Sequence, residues 1–126
     1  MTVLVDTSVW AAHFRSHNAS LAQLLLLDKV RIHPLIVGEL ACGTPPEPRL
    51  ATLLHLEQLQ PALQATPAEV RDFIERERLF GLGCGLIDVS LLASTLITPG
   101  AALWTLDKRL GALAERFGVG FQPPLH

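Results

Sequence analysis

Val3-Leu4-Val5-Asp6-Thr7-Ser8-Val9-Trp10 decides the reading of this chain. Three aliphatic residues run into an acid and two hydroxyls, and an apolar helical pattern starts directly behind them. That order predicts a buried parallel strand whose C-terminal end presents a carboxylate. Open α/β sheets hold their ligands at that end of the strands. Taken alone, Asp6 reads more readily as the N-cap of the following helix, so its significance depends on whether other acids occupy comparable places.

The same order recurs near the C-terminus. Ala101-Ala102-Leu103-Trp104-Thr105-Leu106 predicts a second strong strand, closed by Asp107 and a helix with Leu110, Leu113, Ala114 and Phe117 apolar and Gly118 as its C-cap. If the two strands are neighbours, Asp6 and Asp107 share one edge of a parallel sheet. Two further acids interrupt apolar helices. His33-Pro34-Leu35-Ile36-Val37-Gly38-Glu39-Leu40-Ala41-Cys42-Gly43 is punctuated by Pro at its start and Gly at its end. Within it Glu39 has Leu35, Ile36, Cys42 and Gly43 as its helical neighbours. In the helix predicted from Leu86 to Ile97, Asp88 lies on the face of Leu91 and Leu92. A carboxylate in apolar surroundings is costly unless paired or metal-bound. Gathered carboxylates repel one another unless a cation neutralises them, and an all-oxygen set favours Mg²⁺ or Mn²⁺ over zinc.

Between these elements Thr7 to about Phe14 continues as a short helix, His13 to Asn18 forms a polar connection, and a second helix runs from about Ala19 to Asp28 with Asn18 as N-cap. Val30-Arg31-Ile32 makes a brief strand. Thr44 to Pro48 is a loop, Arg49 to Gln60 a helix, and Pro61 to Ala65 a short edge strand, where proline is tolerated. Thr66-Pro67-Ala68-Glu69 is a capping box. Its helix carries Val70, Phe73, Ile74 and Glu77 on one face and Arg71, Glu75 and Arg78 at ion-pairing spacing on a solvated one. Gly81-Leu82-Gly83-Cys84-Gly85 has the look of a dinucleotide fingerprint, but it follows a helix and lacks the full spacing, so it reads as a flexible connection. Val119 to Phe121 adds a last short strand before Pro123-Pro124.

The 126 residues are expected to form one domain. At 49% hydrophobic and 17% charged, the chain is too apolar for disorder and rather apolar for a lone soluble monomer, so a partner is expected to cover some of its surface. The net charge of -2 argues against a generally basic, DNA-coating protein. Yet with four of the 12 acids drawn into one site, the remaining acids are outnumbered by the 10 Lys and Arg, and nucleic acid stays open as a substrate. Cys42 and Cys84 form no CxxC pair or zinc pattern and suit a reducing compartment. No signal peptide or membrane span is legible, which makes a cytoplasmic protein the expectation.

VLVDTSVW at Val3–Trp10, HPLIVGEL at His33–Leu40, GLIDVSLLAS at Gly85–Ser94 and LWTLDKRL at Leu103–Leu110 resemble, in order and spacing, the PIN-domain ribonucleases of the VapC toxin type. The resemblance covers nearly the whole chain. It implies a PIN-like three-layer α/β sandwich with a mainly parallel central sheet flanked by helices. The implied activity is that of a metal-dependent endoribonuclease toxin, commonly dimeric, neutralised by a VapB-type antitoxin whose C-terminal segment covers the active cleft. Asp6, Glu39, Asp88 and Asp107 match the family's acidic quartet, which would hold Mg²⁺ or Mn²⁺, and Ser8 and Thr105 match supporting hydroxyl positions. Ala12 and Ser90 depart from residues that relatives carry: an acid or polar residue for the first, His in some for the second. His13, Arg15, Lys108 and Arg109 lie beside motif residues and are candidates for RNA phosphates.

Two other readings compete. A haloacid-dehalogenase-like phosphatase would use Asp6 as nucleophile but usually wants a second Asp two residues on, where this chain has Ser8. A PIN fold kept only for binding an antitoxin would need no metal.

Overall fold

Val3, Leu4 and Val5 are completely buried, as a strand covered on both faces requires. They belong to β1 (Thr2–Val5) in a computed structural model that describes residues 1–124. The chain continues through α1 (Thr7–Arg15), α2 (Ala19–Leu26), β2 (Val30–Ile32), α3 (Pro34–Cys42), α4 (Arg49–Glu57), β3 (Gln60–Pro61), α5 (Pro67–Glu77), α6 (Leu86–Ile97), β4 (Ala101–Trp104) and α7 (Lys108–Arg116).

All four strands are parallel, in the order β3-β2-β1-β4. β1 and β4 are neighbours, with Leu4 opposite Leu103 and Val5 opposite Trp104. The first two crossovers each step one strand away from β1, whereas the third returns past β1 to its other side. Parallel crossovers are right-handed, so α1 to α4 cover one face of the sheet and α5 and α6 the other. Three layers result, as the sequence leads one to expect. The direction of winding reverses between β1 and β4, and a crevice opens beyond the carboxyl ends of strands at such a point.

Local chemistry sets the helix starts. Asn18 Oδ1 accepts from Leu21 N at 3.0 Å, and His33 Nδ1 accepts from Leu35 N at 3.0 Å just ahead of Pro34. The capping box is complete: Glu69 N donates to Thr66 Oγ1 at 3.1 Å, and Thr66 N to Glu69 Oε1 at 2.8 Å. Leu91, Leu92, Leu103 and Leu110 are buried at the packed centre of the core.

Several boundaries differ from the sequence expectations. α2 ends at Leu26 because Lys29 N turns back to Leu24 O at 2.9 Å, with Asp28 in the left-handed region at φ 56°. α4 ends at Glu57, and the edge strand is Gln60–Pro61 rather than Pro61 to Ala65. Leu63 N is drawn to Thr98 Oγ1 at 3.0 Å, away from the sheet. β4 stops at Trp104 because Thr105 and Leu106 turn into hydrogen bonds with β1's continuation. Val119 to Phe121 contributes one bridge, Leu103 opposite Gly120, rather than a strand. Arg78 lies past α5 at φ 55° and so does not extend the row of Arg71 and Glu75.

Cys42 and Cys84 are free thiols. Leu26, Leu50, Leu86 and Phe80 are exposed. Among the described residues no helix is long and apolar enough to cross a membrane. Leu91→Ala is expected to cost about 3 kcal/mol, since it leaves a cavity where the side chain is fully enclosed. Thr66→Ala removes a cap and should cost about 1 kcal/mol. Urea unfolding at neutral pH measures both.

Candidate active site

Asp6 follows the last residue of β1, and its backbone N–H bonds Trp104 O at 2.9 Å, which locks the end of β1 to the end of β4. Its carbonyl accepts from Val9 N and Trp10 N and so starts α1, while the side chain makes no cap bond at all. The carboxylate is held elsewhere. Ser8 Oγ and Thr105 Oγ1 each donate to Asp6 Oδ2 at 2.7 Å. Ser8 Oγ in turn accepts from Leu106 N at 3.0 Å, and Thr105 Oγ1 from Asp107 N at 3.0 Å. Both hydroxyls are thereby oriented with their protons on one oxygen of a carboxylate only 5% exposed. Among the described residues no hydrogen bond engages Oδ1. An unengaged carboxylate oxygen at the switch point is available to a ligand there.

Asp107 behaves differently from Asp6. Its Oδ1 accepts from Leu110 N at 2.9 Å, a true helix cap, and the residue is exposed. The two acids therefore share the sheet edge, with Asp107 giving one oxygen to α7. Glu39, half-buried on α3, accepts from Thr7 Oγ1 at 2.6 Å. The sequence reading assigned no role to Thr7, which couples the residue after Asp6 to the acid on α3; the consecutive hydroxyls of Asp6-Thr7-Ser8 were the available signal.

Asp88 enters from α6, on the opposite face of the sheet. Burial raises its pKa first, and the negative charges of Asp6, Asp107 and Glu39 raise it further, with a hydrogen bond from the Gly85 backbone working the other way. Asp88 thus feels the charges of three carboxylates brought from other parts of the chain. Among the described residues no three His, Cys, Asp or Glu side chains are drawn in tightly enough to enclose an ion. The donor set nevertheless fits a hard divalent cation: it is all oxygen, one member offers an unengaged carboxylate oxygen, and a second has its charge disfavoured by burial and by the other three.

The basic candidates separate. His13 accepts from Asn18 N at 2.9 Å through Nδ1, and its pKa is lowered by burial and by His17. It serves the α1–α2 connection. Arg15 is exposed and lines a groove of about 450 Å³ together with Thr7, Phe14, Glu39 and Pro45. Lys108 is exposed at the start of α7, and Arg109 lies over the Gly83 backbone. Ser8, which stands where an aspartyl phosphatase wants its second acid, donates its proton to Asp6. Ser90 bonds back to Leu86 O at 2.7 Å within its own helix.

Comparison with known proteins identifies the family of the chain. Residues 3–116 match the PIN domain family model. Ribonuclease VapC32 of Mycobacterium tuberculosis, from strains CDC 1551 / Oshkosh and H37Rv alike, is 43% identical over 117 residues, which is 93% of this chain and 94% of that protein. The family match contains all four acids and the hydroxyls Thr7, Ser8 and Thr105 that hold Glu39 and Asp6, and the chain belongs to the PIN-domain family, on its VapC side.

Proposed function

We propose that this chain is a divalent-metal-dependent endoribonuclease and the toxin of a toxin-antitoxin pair. The observation that carries the reading is the state of Asp6: buried, relieved of capping duty, clamped through one oxygen by two hydroxyls, and set among three more carboxylates at the switch point of the sheet. The ribonuclease relative points to RNA as the substrate.

A bound Mg²⁺ or Mn²⁺ would supply Lewis-acid stabilisation of the scissile phosphate and a more acidic water. Asp6 and Asp107 would hold it directly, each through the oxygen not committed to a neighbour. Asp88 would join them directly or through water, and Glu39, positioned by Thr7, would hold a second ion or orient the attacking water. Ser8 and Thr105 keep Asp6 from rotating, so its free oxygen is aimed before anything binds. No serine or cysteine nucleophile is needed. The cleft would be closed by a VapB-type antitoxin, and the exposed Leu50, Leu86 and Phe80 support a homodimer or other apolar contact. The cytoplasm is the compartment in which such a toxin, RNA and reduced thiols coexist.

Incubation of total cellular RNA with antitoxin-free protein tests the reading. Discrete fragments are expected with Mg²⁺ or Mn²⁺, none with EDTA, and a loss of about 100-fold or more in Asp6→Asn. Fragments that persist in EDTA, or an equally active Asp6→Asn, would overturn it. If folded wild type shows no metal-dependent stabilisation either, the binding-module reading takes its place. Thr105→Val leaves the ligands intact and should still lower the rate by about 10-fold to 100-fold through loss of aim.

Asp88 supplies a pH test with a defined sign. Its folded-state pKa stands above the unfolded value near 3.8, so the metal-free folded form binds more protons between the two. Metal-free stability therefore falls as pH rises through that window, and Asp88→Asn should melt higher than wild type at pH 7 without metal. With Mg²⁺ at about 100 times its dissociation constant, wild type should gain about 2.7 kcal/mol. That gain should fade as acid protonates Asp88 and should shrink in Asp88→Asn. Thermal melts with and without Mg²⁺ decide it, and an Asp88→Asn protein stabilised as strongly as wild type would remove Asp88 from the ligand set.

A further inference from the structure

The loop from Gly81 to Gly85, between α5 and α6, is no nucleotide fingerprint, yet its backbone is specialised. Gly81 and Gly83 hold φ of 72° and 86°, a region that side chains avoid. At Gly83 a second constraint appears. A Cβ there would stand 2.8 Å from both Cδ and Nη1 of Arg109 and 2.9 Å from its Cζ. The Arg109 side chain is laid flat on the bare backbone of Gly83, and its Nη1 donates to the Gly83 carbonyl at 3.5 Å.

Arg109 sits two residues after Asp107, and Gly83 five before Asp88, so the contact joins the stretches that carry two of the four acids. Cys84 registers all three charges at once: Asp88 and Asp107 raise its pKa while Arg109 lowers it, with burial the largest influence. Seated on Gly83, the guanidinium lies between the stretches that carry Asp88 and Asp107, at the rim of the carboxylate centre. Among the described residues only Nη1 is engaged, which leaves the Nε–Nη2 edge of the fork, a shape that matches two phosphate oxygens. RNA approaching four carboxylates meets repulsion, and a fixed cation at their rim offsets it where the backbone must enter.

We propose that the Gly81–Gly85 loop is a cradle that seats Arg109 beside the carboxylate centre as a contact for an RNA backbone phosphate, with Gly83 as the positioning residue that keeps the seat open. This rests on the nuclease reading above. It adds a function for a glycine that touches neither metal nor RNA: any side chain at Gly83 evicts the guanidinium, because the movable end of Arg109 yields before the backbone does.

The test measures binding of a fluorescein-labelled single-stranded RNA by anisotropy from 50 to 300 mM KCl with Mg²⁺, in an Asp6→Asn background that blocks cleavage. Wild-type cleavage of RNA is assayed in parallel. Arg109→Gln should weaken binding about five-fold at 0.1 M salt and lower the slope of log Kd against log salt by about 0.7, the signature of one lost phosphate contact. Gly83→Ala and Gly83→Asn should do the same, the latter tolerating positive φ. Arg109→Lys should restore the slope. The Gly83→Ala, Arg109→Gln double variant should be no worse than Arg109→Gln alone, since both remove one contact. A merely structural glycine would lower the melting temperature without moving the salt slope. Unchanged slopes in folded Gly83 variants, or in Arg109→Gln, overturn the cradle while wild-type cleavage leaves the nuclease reading standing. Absence of both RNA binding and cleavage in wild type overturns the two together.

Discussion

The double hydroxyl hold on Asp6 is the interaction on which the site depends. It needs β1 and β4 side by side in register, because Thr105 reaches Asp6 only from the end of the neighbouring strand. It also needs β4 to stop at Trp104, so that Leu106 N and Asp107 N can turn and orient the two hydroxyl protons. One network thus ends a strand, aims a carboxylate and places the next acid. Because each hydroxyl both accepts from a backbone N–H and donates to Oδ2, rotation of Asp6 would break bonds at two levels.

Around this hold the fold works against its own electrostatics. Asp88 is desolvated and faces three like charges, an arrangement that disfavours its charged form. Comparable local conflicts are where functional sites are found. Each acid is tied down by a different device: two hydroxyls for Asp6, a hydroxyl on α1 for Glu39, a helix N-terminus for Asp107 and the Gly85 backbone for Asp88.

Much of this was legible before any coordinates. Apolar runs of strand length ended by an acid locate β1 and β4, and Thr66-Pro67-Ala68-Glu69 marks the start of α5. Glu39 and Asp88 stand out because a lone charge in an apolar helix demands compensation. Most of the differences share one cause, while the early end of α2 is a local turn at Asp28. Pro61 to Ala65, Val119 to Phe121 and the end of β4 are decided by hydrogen bonds to residues distant in the chain, such as Leu63 N to Thr98 Oγ1, and no local pattern records them.

What the amino-acid order determined by itself was the identity of the elements and of the four acids, because hydrophobic period and the cost of a buried charge are local properties. Only the tertiary structure decided what each acid is free to do. Asp6 and Asp107 are alike in sequence, each following a strand and preceding a helix, yet one caps its helix and the other does not. The difference comes from Thr105 and Ser8, and the partnership between them spans 97 residues. Gly83 under Arg109 is a similar case: the glycine's purpose lies in a side chain 26 residues away, and only folding brings the two into contact.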